Sequence, residues 1–233
     1  MAEKILVLNG YTYGKAVVGL GTLVDDKAHF LEHPEQYKLV LFTGGADVGP
    51  GLYGDTSPLG LCSDSPSRDI DEAGVFSVAL ANKIKMTGIC RGSQFLNVMC
   101  GGRMMHHVTN HGTFQGHLMY THKYKAPIKV NTLHHQMSIL GPKGKLIGWA
   151  EGISDTFIGR NDEPEEWTKP ETEAIMYPEQ LVCGVQYHPE MLAMETPGYK
   201  FFHDMIDDFL KVSIEEFTEL YGEKQTKLLT TST

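Results

Sequence analysis

The N-terminal half of the chain alternates between continuous apolar runs and amphipathic stretches. The apolar runs at Lys4–Gly10, Tyr37–Gly45 and Ile84–Ile89 are typical of strands that are covered on both faces in a parallel sheet. Helical spacing over Asp69–Lys83 predicts a helix, and Ser93–Gly102 predicts another that ends at two glycines. This order predicts a doubly wound α/β fold, with a mostly parallel central sheet and helices on both faces.

The C-terminal half contains short apolar runs separated by turn residues. These runs predict strands that either extend the sheet or form hairpins at its edge, namely IKVNTL, KLIGWAEG, TEAIMY and LVCGVQYHPE. The apolar spacing over Gly198–Lys224 predicts an amphipathic helix whose second part continues or restarts it. The acidic segment Gly159–Glu173, broken by prolines, is interpreted as a solvent-exposed loop. We expect one domain over residues 1–225 and a frayed tail over 226–233.

Composition narrows the class of partner. The 233 residues carry a formal net charge of −9, which argues against nucleic-acid or membrane-surface binding because both favour basic surfaces. The four cysteines lack zinc-type spacing, and most of them lie in segments with the pattern of core elements, so we expect a reducing compartment. The chain contains no run long enough to span a bilayer and no signal-peptide core, and we therefore expect a cytoplasmic protein.

A candidate nucleophile lies where the third predicted strand meets the following helix. Cys90 stands in Gly88-Ile89-Cys90-Arg91-Gly92, and a nucleophile between two glycines on a strand–turn–helix is the arrangement of a nucleophile elbow. The N-terminus of the helix favours an anionic sulfur, and the backbone N–H of Arg91 is free to donate to a developing oxyanion. A buried structural cysteine is the alternative interpretation, since cysteine is among the most buried residue types.

A candidate base follows the last predicted strand, in GVQYHPE. If the chain stays extended through His188, Pro189 and Glu190, the period of two residues places His188 and Glu190 on the same side. The carboxylate could then accept from one imidazole nitrogen while the other nitrogen faces a thiol. These residues therefore predict a Cys90–His188–Glu190 triad carried by two strand ends.

These motifs resemble those of the class I glutamine amidotransferase superfamily. TGICRGSQ and GVQYHPE occur in the order of that superfamily, and the resemblance extends from about residue 4 to residue 210. LFTGGADVGPGLYGD, RDIDE and LHHQ are most similar to the γ-glutamyl hydrolase and γ-glutamyl-GABA hydrolase branch. The resemblance implies a flavodoxin-like fold and a hydrolase with a cysteine nucleophile. Such an enzyme cleaves glutamine or a γ-glutamyl compound through a γ-glutamyl thioester and needs no cofactor.

The resemblance also implies a role for each matching residue. Cys90 would be the nucleophile, His188 the base and Glu190 the residue that orients the base. Further residues would form the oxyanion hole through their backbone amides, namely Gly44, Gly45 and Arg91. The residues expected to line the substrate site are Gln94, His135 and Gln136, with Arg91 and Gln94 facing the γ-glutamyl compound.

Three other functions stay open at this point. The chain could be the glutaminase component of a two-chain amidotransferase that delivers ammonia to a separate synthetase. It could be a non-catalytic regulatory module on the same fold, although such modules usually lose the cysteine or the histidine. A protease or α/β-hydrolase with the same elbow is disfavoured, because neither is expected to carry HPE after a GVQ strand. A homodimer is also left open.

Histidines are concentrated in one part of the sequence. Seven of the eleven lie in one segment, namely His106, His107, His111, His117, His122, His134 and His135. Their spacing matches no metal motif, and the segment contains few acidic residues. We therefore interpret the segment as the rim of the active site and expect no metal.

Overall fold

The computed structural model describes residues 3–113 and 115–223. The tail predicted over residues 226–233 lies outside the described residues. The strands, in chain order, are β1 (Lys4–Val7), β2 (Thr22–Val24), β3 (Tyr37–Phe42), β4 (Lys85–Ile89), β5 (Arg103–Met105), β6 (His107–Val108), β7 (His117–Thr121), β8 (Ile128–Val130), β9 (Met137–Ile139), β10 (Lys145–Ala150), β11 (Phe157–Ile158), β12 (Glu171–Tyr177) and β13 (Val182–Val185). The α-helices are α1 (Lys27–Glu32), α2 (Pro66–Ala81), α3 (Arg91–Met99), α4 (Pro197–Lys211) and α5 (Ile214–Tyr221).

Within the residues that the structure describes, one nine-stranded sheet organises the fold, in the order β2-β1-β3-β4-β13-β12-β10-β7-β8. The pairings from β2 to β13 are parallel, and those from β13 to β8 are antiparallel. The predicted C-terminal strands therefore extend the sheet. Two short antiparallel pairs, β5 with β9 and β6 with β11, lie outside it.

The helices cover both faces of the sheet, as the apolar pattern predicts. One core cluster contains Phe30 of α1, Val75 of α2 and Phe95 of α3. The cluster on the opposite face contains Phe201 of α4 and Phe217 of α5. The doubly wound α/β prediction is confirmed. It was accessible from sequence because buried parallel strands read as unbroken apolar runs.

The C-terminal amphipathic segment restarts rather than continues. Helix α4 begins at Pro197 with Thr196 as its N-cap, and it ends at Lys211. Ser213 then caps α5, because its hydroxyl accepts from the backbone N–H of Glu216. Among the described residues, no helix is both long and apolar enough to cross a bilayer.

Candidate active site

Cys90 lies on a strained turn between β4 and α3. Its backbone angles are φ 54° and ψ −116°, a region that residues other than glycine rarely adopt. The N–H of Cys90 donates to the carbonyl of Val185 at the end of β13, with an N–O distance of 2.9 Å. A Cβ added at Gly92 would overlap the carbonyl of Phe42, so the close approach of α3 to β3 requires glycine there. The predicted elbow is present, and the Cys90 residue is 7% exposed.

His188 and Glu190 lie beside Cys90 because β13 is the parallel neighbour of β4. Val185 is in register with Ile89, so the two strands end at the same edge of the sheet. The Nδ1 atom of His188 lies 2.8 Å from Oε1 of Glu190, and both side chains are buried. The structure thus brings together the three residues of the predicted triad.

The backbone route to this pairing differs from the one expected. The chain does not stay extended after His188 but enters a 3-10 turn over Pro189–Met191. Proline at the first position fixes φ near the value that a helical turn needs. The turn, rather than strand alternation, directs the Glu190 carboxylate back onto the imidazole.

Asn131 holds the backbone of His188 through two hydrogen bonds. Its backbone N–H donates to Oδ1 of Asn131, and its carbonyl accepts from Nδ2 of the same residue, each at 2.8 Å. Burial disfavours the charged imidazole, but hydrogen bonding to Cys90 and Glu190 outweighs burial and raises the pKa of His188 to about 10. The imidazole is therefore held in its protonated form at neutral pH, next to the sulfur.

The predicted oxyanion-hole segment follows β3. Gly45 has φ +139°, and a Cβ at this position would overlap Nη1 of Arg68. The Arg68 guanidinium donates to the carbonyls of Thr43 at 2.8 Å and Gly44 at 2.9 Å. Because the peptide unit is planar, fixing the Gly44 carbonyl also fixes the direction of the Gly45 N–H. The Arg91 N–H, at the first turn of α3, has no acceptor within the helix.

A buried ionic cluster connects this segment to the elbow. The Arg91 guanidinium binds Asp69 and Glu72 of α2 and is 1% exposed. Glu72 also accepts from Nε of Arg68 at 2.8 Å and from Asn9 at 2.9 Å. The expectation that the Arg91 side chain faces substrate is therefore wrong. Asp69 and Glu72 hold the guanidinium against α2, because burying a charge requires opposite charges nearby.

The three predicted substrate residues lie at different depths. His135 is partly exposed and its Nε2 lies 3.2 Å from the carboxylate of Asp47. Gln94 is 2% exposed, and its Nε2 donates to Oε1 of Gln186 at 3.1 Å. Gln136 is fully buried and donates to Sγ of Cys62 at 3.2 Å. Direct substrate contact stays a prediction for Gln94, His135 and Gln136.

Sequence reasoning did not select four residues of this site. Gln186 donates to Sγ of Cys90 at 3.7 Å, and Tyr13 lies near His188, with 6.2 Å between ring centroids. Arg68 and Asn131 position the oxyanion segment and His188, as described above. Tyr13 follows the end of β1, so the rule that ligands bind at the carboxyl ends of parallel strands could have selected it.

Cys90 and Cys100 flank the two ends of α3 and differ in exposure. Cys100, at the end of α3, retains more exposed surface than Cys90 and is not the more buried of the two. Burial of its surroundings nevertheless raises the pKa of the Cys100 thiol to about 12. An inert Cys100 is consistent with that value.

The histidine-rich segment is not a rim of the active site as a whole. Its buried members are His106, His111, His117 and His134. The acidic segment is not solely a solvent loop either, because Asp162, Glu171 and Glu173 are buried against these histidines. Both interpretations were wrong for the same reason, since the histidines and the acids lie far apart in sequence and contact each other only in the fold.

Comparison with known proteins gives the family context of this geometry. The model of the peptidase C26 family matches residues 23–152. The chain is 30% identical over 169 residues to a Lactococcus lactis protein provisionally named glutamine amidotransferase-like protein YvdE. This match covers 65% of each of the two chains. It is also 30% identical over 177 residues to a protein of Schizosaccharomyces pombe provisionally named a glutamine amidotransferase, which covers 68% of this chain and 64% of that protein. The chain thus matches less than two thirds of the length of these relatives.

Two solved structures share the fold. A Thermoplasma acidophilum protein, provisionally described as one of the subunits of a GMP synthase, superposes with a TM-score of 0.60 at 14% identity, covering 94% of this chain and 98% of that chain. A glutamine amidotransferase from Thermotoga maritima gives a TM-score of 0.56 at 16% identity, with 94% and 90% covered. At these identities, the likeness shows the fold alone.

Proposed function

Because the chain belongs to the peptidase C26 family, within the class I glutamine amidotransferase superfamily, we propose that it is a γ-glutamyl amide hydrolase with a cysteine nucleophile. One observation carries the proposal. A cysteine on a strained strand–helix turn lies against a histidine, and that histidine is bonded to a buried carboxylate at 2.8 Å. An adjacent base oriented by a third group is the arrangement that activates a catalytic thiol.

The first half-reaction forms a thioester. Sγ of Cys90 attacks the side-chain amide carbon of the γ-glutamyl group, and the carbonyl oxygen becomes an oxyanion. The backbone N–H groups of Gly45 and Arg91 donate to that oxyanion. His188, protonated and held by Glu190, gives its proton to the leaving nitrogen, so that ammonia or an amine departs. Cys90 retains the γ-glutamyl group.

The second half-reaction releases glutamate. His188, now neutral, accepts a proton from water, and the resulting hydroxide attacks the thioester carbon. The same two amides stabilise the second oxyanion, and the thiolate of Cys90 leaves. Each half-reaction returns His188 to the protonation state that the next one requires.

The leaving group distinguishes two versions of this function. Direct hydrolysis of a γ-glutamyl peptide or amine is supported by the motifs that resemble the γ-glutamyl hydrolase branch. Glutamine hydrolysis that supplies ammonia to a separate synthetase is supported by the names of the relatives, which are given as glutamine amidotransferases. Both versions use the same triad and differ in what occupies the cleft beyond the scissile bond.

A substrate panel tests the proposal. Glutamate release is measured with glutamine, γ-glutamyl dipeptides and γ-glutamylated amines. Replacing Cys90→Ala should lower the rate by about 10⁴-fold or more, because no other group can form the thioester. Cys100→Ala is the matched control and should retain the wild-type rate. Intact-mass analysis should detect one γ-glutamyl group on the wild-type chain and none on Cys90→Ala.

The outcomes separate the alternatives. Turnover of γ-glutamyl amines above that of glutamine supports direct hydrolysis, whereas preference for glutamine supports an ammonia supplier. Absence of glutamate release from every compound, together with absence of an acyl adduct, contradicts the proposal and favours a regulatory module.

A further inference from the structure

A second group of ionisable side chains contains none of the residues of the predicted triad. We define the histidine pocket by its residues His111, His117, His134, Glu171 and Glu173. All five are buried, and they come from three separate parts of the chain. We propose that this pocket binds a divalent transition-metal ion, with His111, His134 and Glu173 as ligands and His117 as the fourth. The proposal does not depend on the proposed hydrolase function.

The spacing of the ligand atoms fits such an ion. Nε2 of His117 lies 3.0 Å from Oε1 of Glu173, Nδ1 of His111 lies 3.6 Å from it, and Nε2 of His134 lies 3.8 Å from it. One ligand atom each from His111, His134 and Glu173 lie within 4.8 Å of one another. In a tetrahedral zinc site, bond lengths of about 2.0–2.1 Å place the ligand atoms about 3.3–3.4 Å apart. The three measured distances lie on either side of that value.

Hydrogen bonds at the far side of two rings fix which nitrogen is available. Nδ1 of His134 lies 2.9 Å from the carbonyl of Gln136, so Nδ1 carries the proton and Nε2 has a free lone pair. Nε2 of His111 lies 2.7 Å from Oε2 of Glu171, so its Nδ1 has the free lone pair. The free nitrogens are those that face Glu173. A histidine that donates its other N–H to a carboxylate or carbonyl is the usual arrangement around a bound metal.

Thr132 does not satisfy the free nitrogen of His111. Its hydroxyl lies 3.2 Å from Nδ1, but the hydroxyl proton is directed to the carbonyl of His111, at 2.5 Å. The Thr132 hydroxyl is therefore not a donor to Nδ1 of His111. Within the described residues, the atoms without a hydrogen-bond partner also include Nε2 of His134, Nδ1 of His117 and Oε2 of Glu173. Buried polar atoms are rarely left unpaired, so this number at one point indicates an occupant.

A proton alone does not satisfy the pocket. A protonated His117 would pair with Oε1 of Glu173, which lies 3.0 Å from its Nε2. That pairing leaves Nε2 of His134 without a partner, beside the ring of His111 at 4.4 Å between centroids. A cation bound by the ligand atoms of His111, His134 and Glu173 would give each of these atoms a partner.

The donor set selects the class of ion. Imidazole nitrogens with one carboxylate suit Zn²⁺ and neighbouring transition metals, whereas Mg²⁺ and Ca²⁺ prefer oxygen donors. A second candidate group, made of Cys62, His106 and Asp162, lies elsewhere in the fold and would add a thiolate ligand. In that group Nδ1 of His106 already contacts Asp162 at 2.8 Å. Fewer atoms are left unsatisfied there, and the histidine pocket is the better site.

The position of the pocket suggests a structural role. It joins the loop before β7, the segment after β8 and the start of β12. The carbonyl of Glu173 accepts from the N–H of Gln186 at 2.7 Å, and Gln186 is the residue that contacts Cys90. A bound ion would therefore hold β12 in place, and with it the backbone contact to Gln186 beside Cys90.

Metal titration of the full chain tests the proposal. Protein stripped with EDTA is titrated with Zn²⁺ alone against a chromophoric chelator, and with Co²⁺ alone. We expect one ion per chain and a cobalt spectrum of tetrahedral intensity without a thiolate charge-transfer band. At a hundredfold excess over the Kd, Zn²⁺ should raise the Tm by about 5–10 °C.

Two variants and a control locate the ion. His134→Gln and Glu173→Gln should each weaken Zn²⁺ binding by about 100-fold or more, because each removes a direct ligand. His106→Gln removes a buried imidazole from the same sequence segment and should bind as the wild type does. Circular dichroism checks that each variant folds. If one does not fold, the other variant and the wild-type cobalt spectrum still test the site.

Three results would overturn the proposal. The first is the absence of stoichiometric Zn²⁺ binding by the folded wild-type chain. The second is a thiolate band in the cobalt spectrum with loss of binding in His106→Gln, which would assign the ion to the group containing Cys62. The third is unchanged affinity in both His134→Gln and Glu173→Gln.

Discussion

The candidate catalytic site and the histidine pocket each contain an imidazole paired with a buried carboxylate. The two sites differ in the group that the second nitrogen of the imidazole faces. In the catalytic site, Nδ1 of His188 lies 2.8 Å from Glu190, and the ring's other partner is Cys90. In the pocket, Nε2 of His111 lies 2.7 Å from Glu171, and the other nitrogen faces Glu173. The carboxylate orients the imidazole in both cases. The group at the second nitrogen decides whether the imidazole can move a proton or is suited to hold a metal ion.

The largest expected effect concerns the carboxylate of the catalytic site. Glu190→Gln should lower the turnover rate by about 10³–10⁴-fold, because the amide can donate to Nδ1 and favour the wrong tautomer of His188. The replacement is close to isosteric, so the Tm should change little. Steady-state kinetics on the best substrate of the panel measures the effect. The Zn²⁺ affinity of the same variant should equal that of the wild type. A large loss of both turnover and Zn²⁺ affinity would show that the two regions are not separate.

A smaller effect is expected at the matching carboxylate of the pocket. Glu171→Gln should weaken Zn²⁺ binding by about 10–100-fold, because Glu171 orients His111 without being a ligand itself. Glu173→Gln should weaken binding more, since it removes a ligand. The ratio of the two affinities, measured by chelator competition, tests this assignment. Equal losses would contradict the distinction between a ligand and a residue that orients one.

The ease of prediction differed between the two regions for a physical reason. His188 and Glu190 are separated by one residue, and a parallel neighbour brings their strand end to Cys90, so local motifs contain most of the information. His111 and Glu171 are 60 residues apart. Their meeting depends on antiparallel pairings in the second half of the sheet, and the apolar pattern left the arrangement of those strands open.

The remaining differences also come from tertiary contacts. The Arg91 side chain could be read as a substrate contact until α2 supplied Asp69 and Glu72 as partners. The turn at Pro189 replaced the extended backbone that strand periodicity suggested, although the pairing of His188 and Glu190 was still correct. Local pattern identified which residues meet at the strand ends, and burial decided what each side chain contacts.

The smallest expected effect is a change in the titration of His188, which tests whether its charge depends on the thiol. Because Cys90 and Glu190 raise the pKa of His188 to about 10, the ring stays protonated in the fold where the unfolded chain, with a pKa near 6.5, has lost its proton. This group therefore stabilises the fold fully below about pH 6.5, and the contribution is lost as the pH rises through about 10.

In Cys90→Ala, one partner is gone, and the pKa of His188 should fall by about one unit or more. The Cε1–H resonance of His188, followed by NMR from pH 5 to pH 11, measures the change, with Cys100→Ala as the control that should titrate as the wild type does. An unchanged pKa in Cys90→Ala would mean that Glu190 alone sets the charge of the imidazole, and it would contradict the pairing of His188 with the thiol.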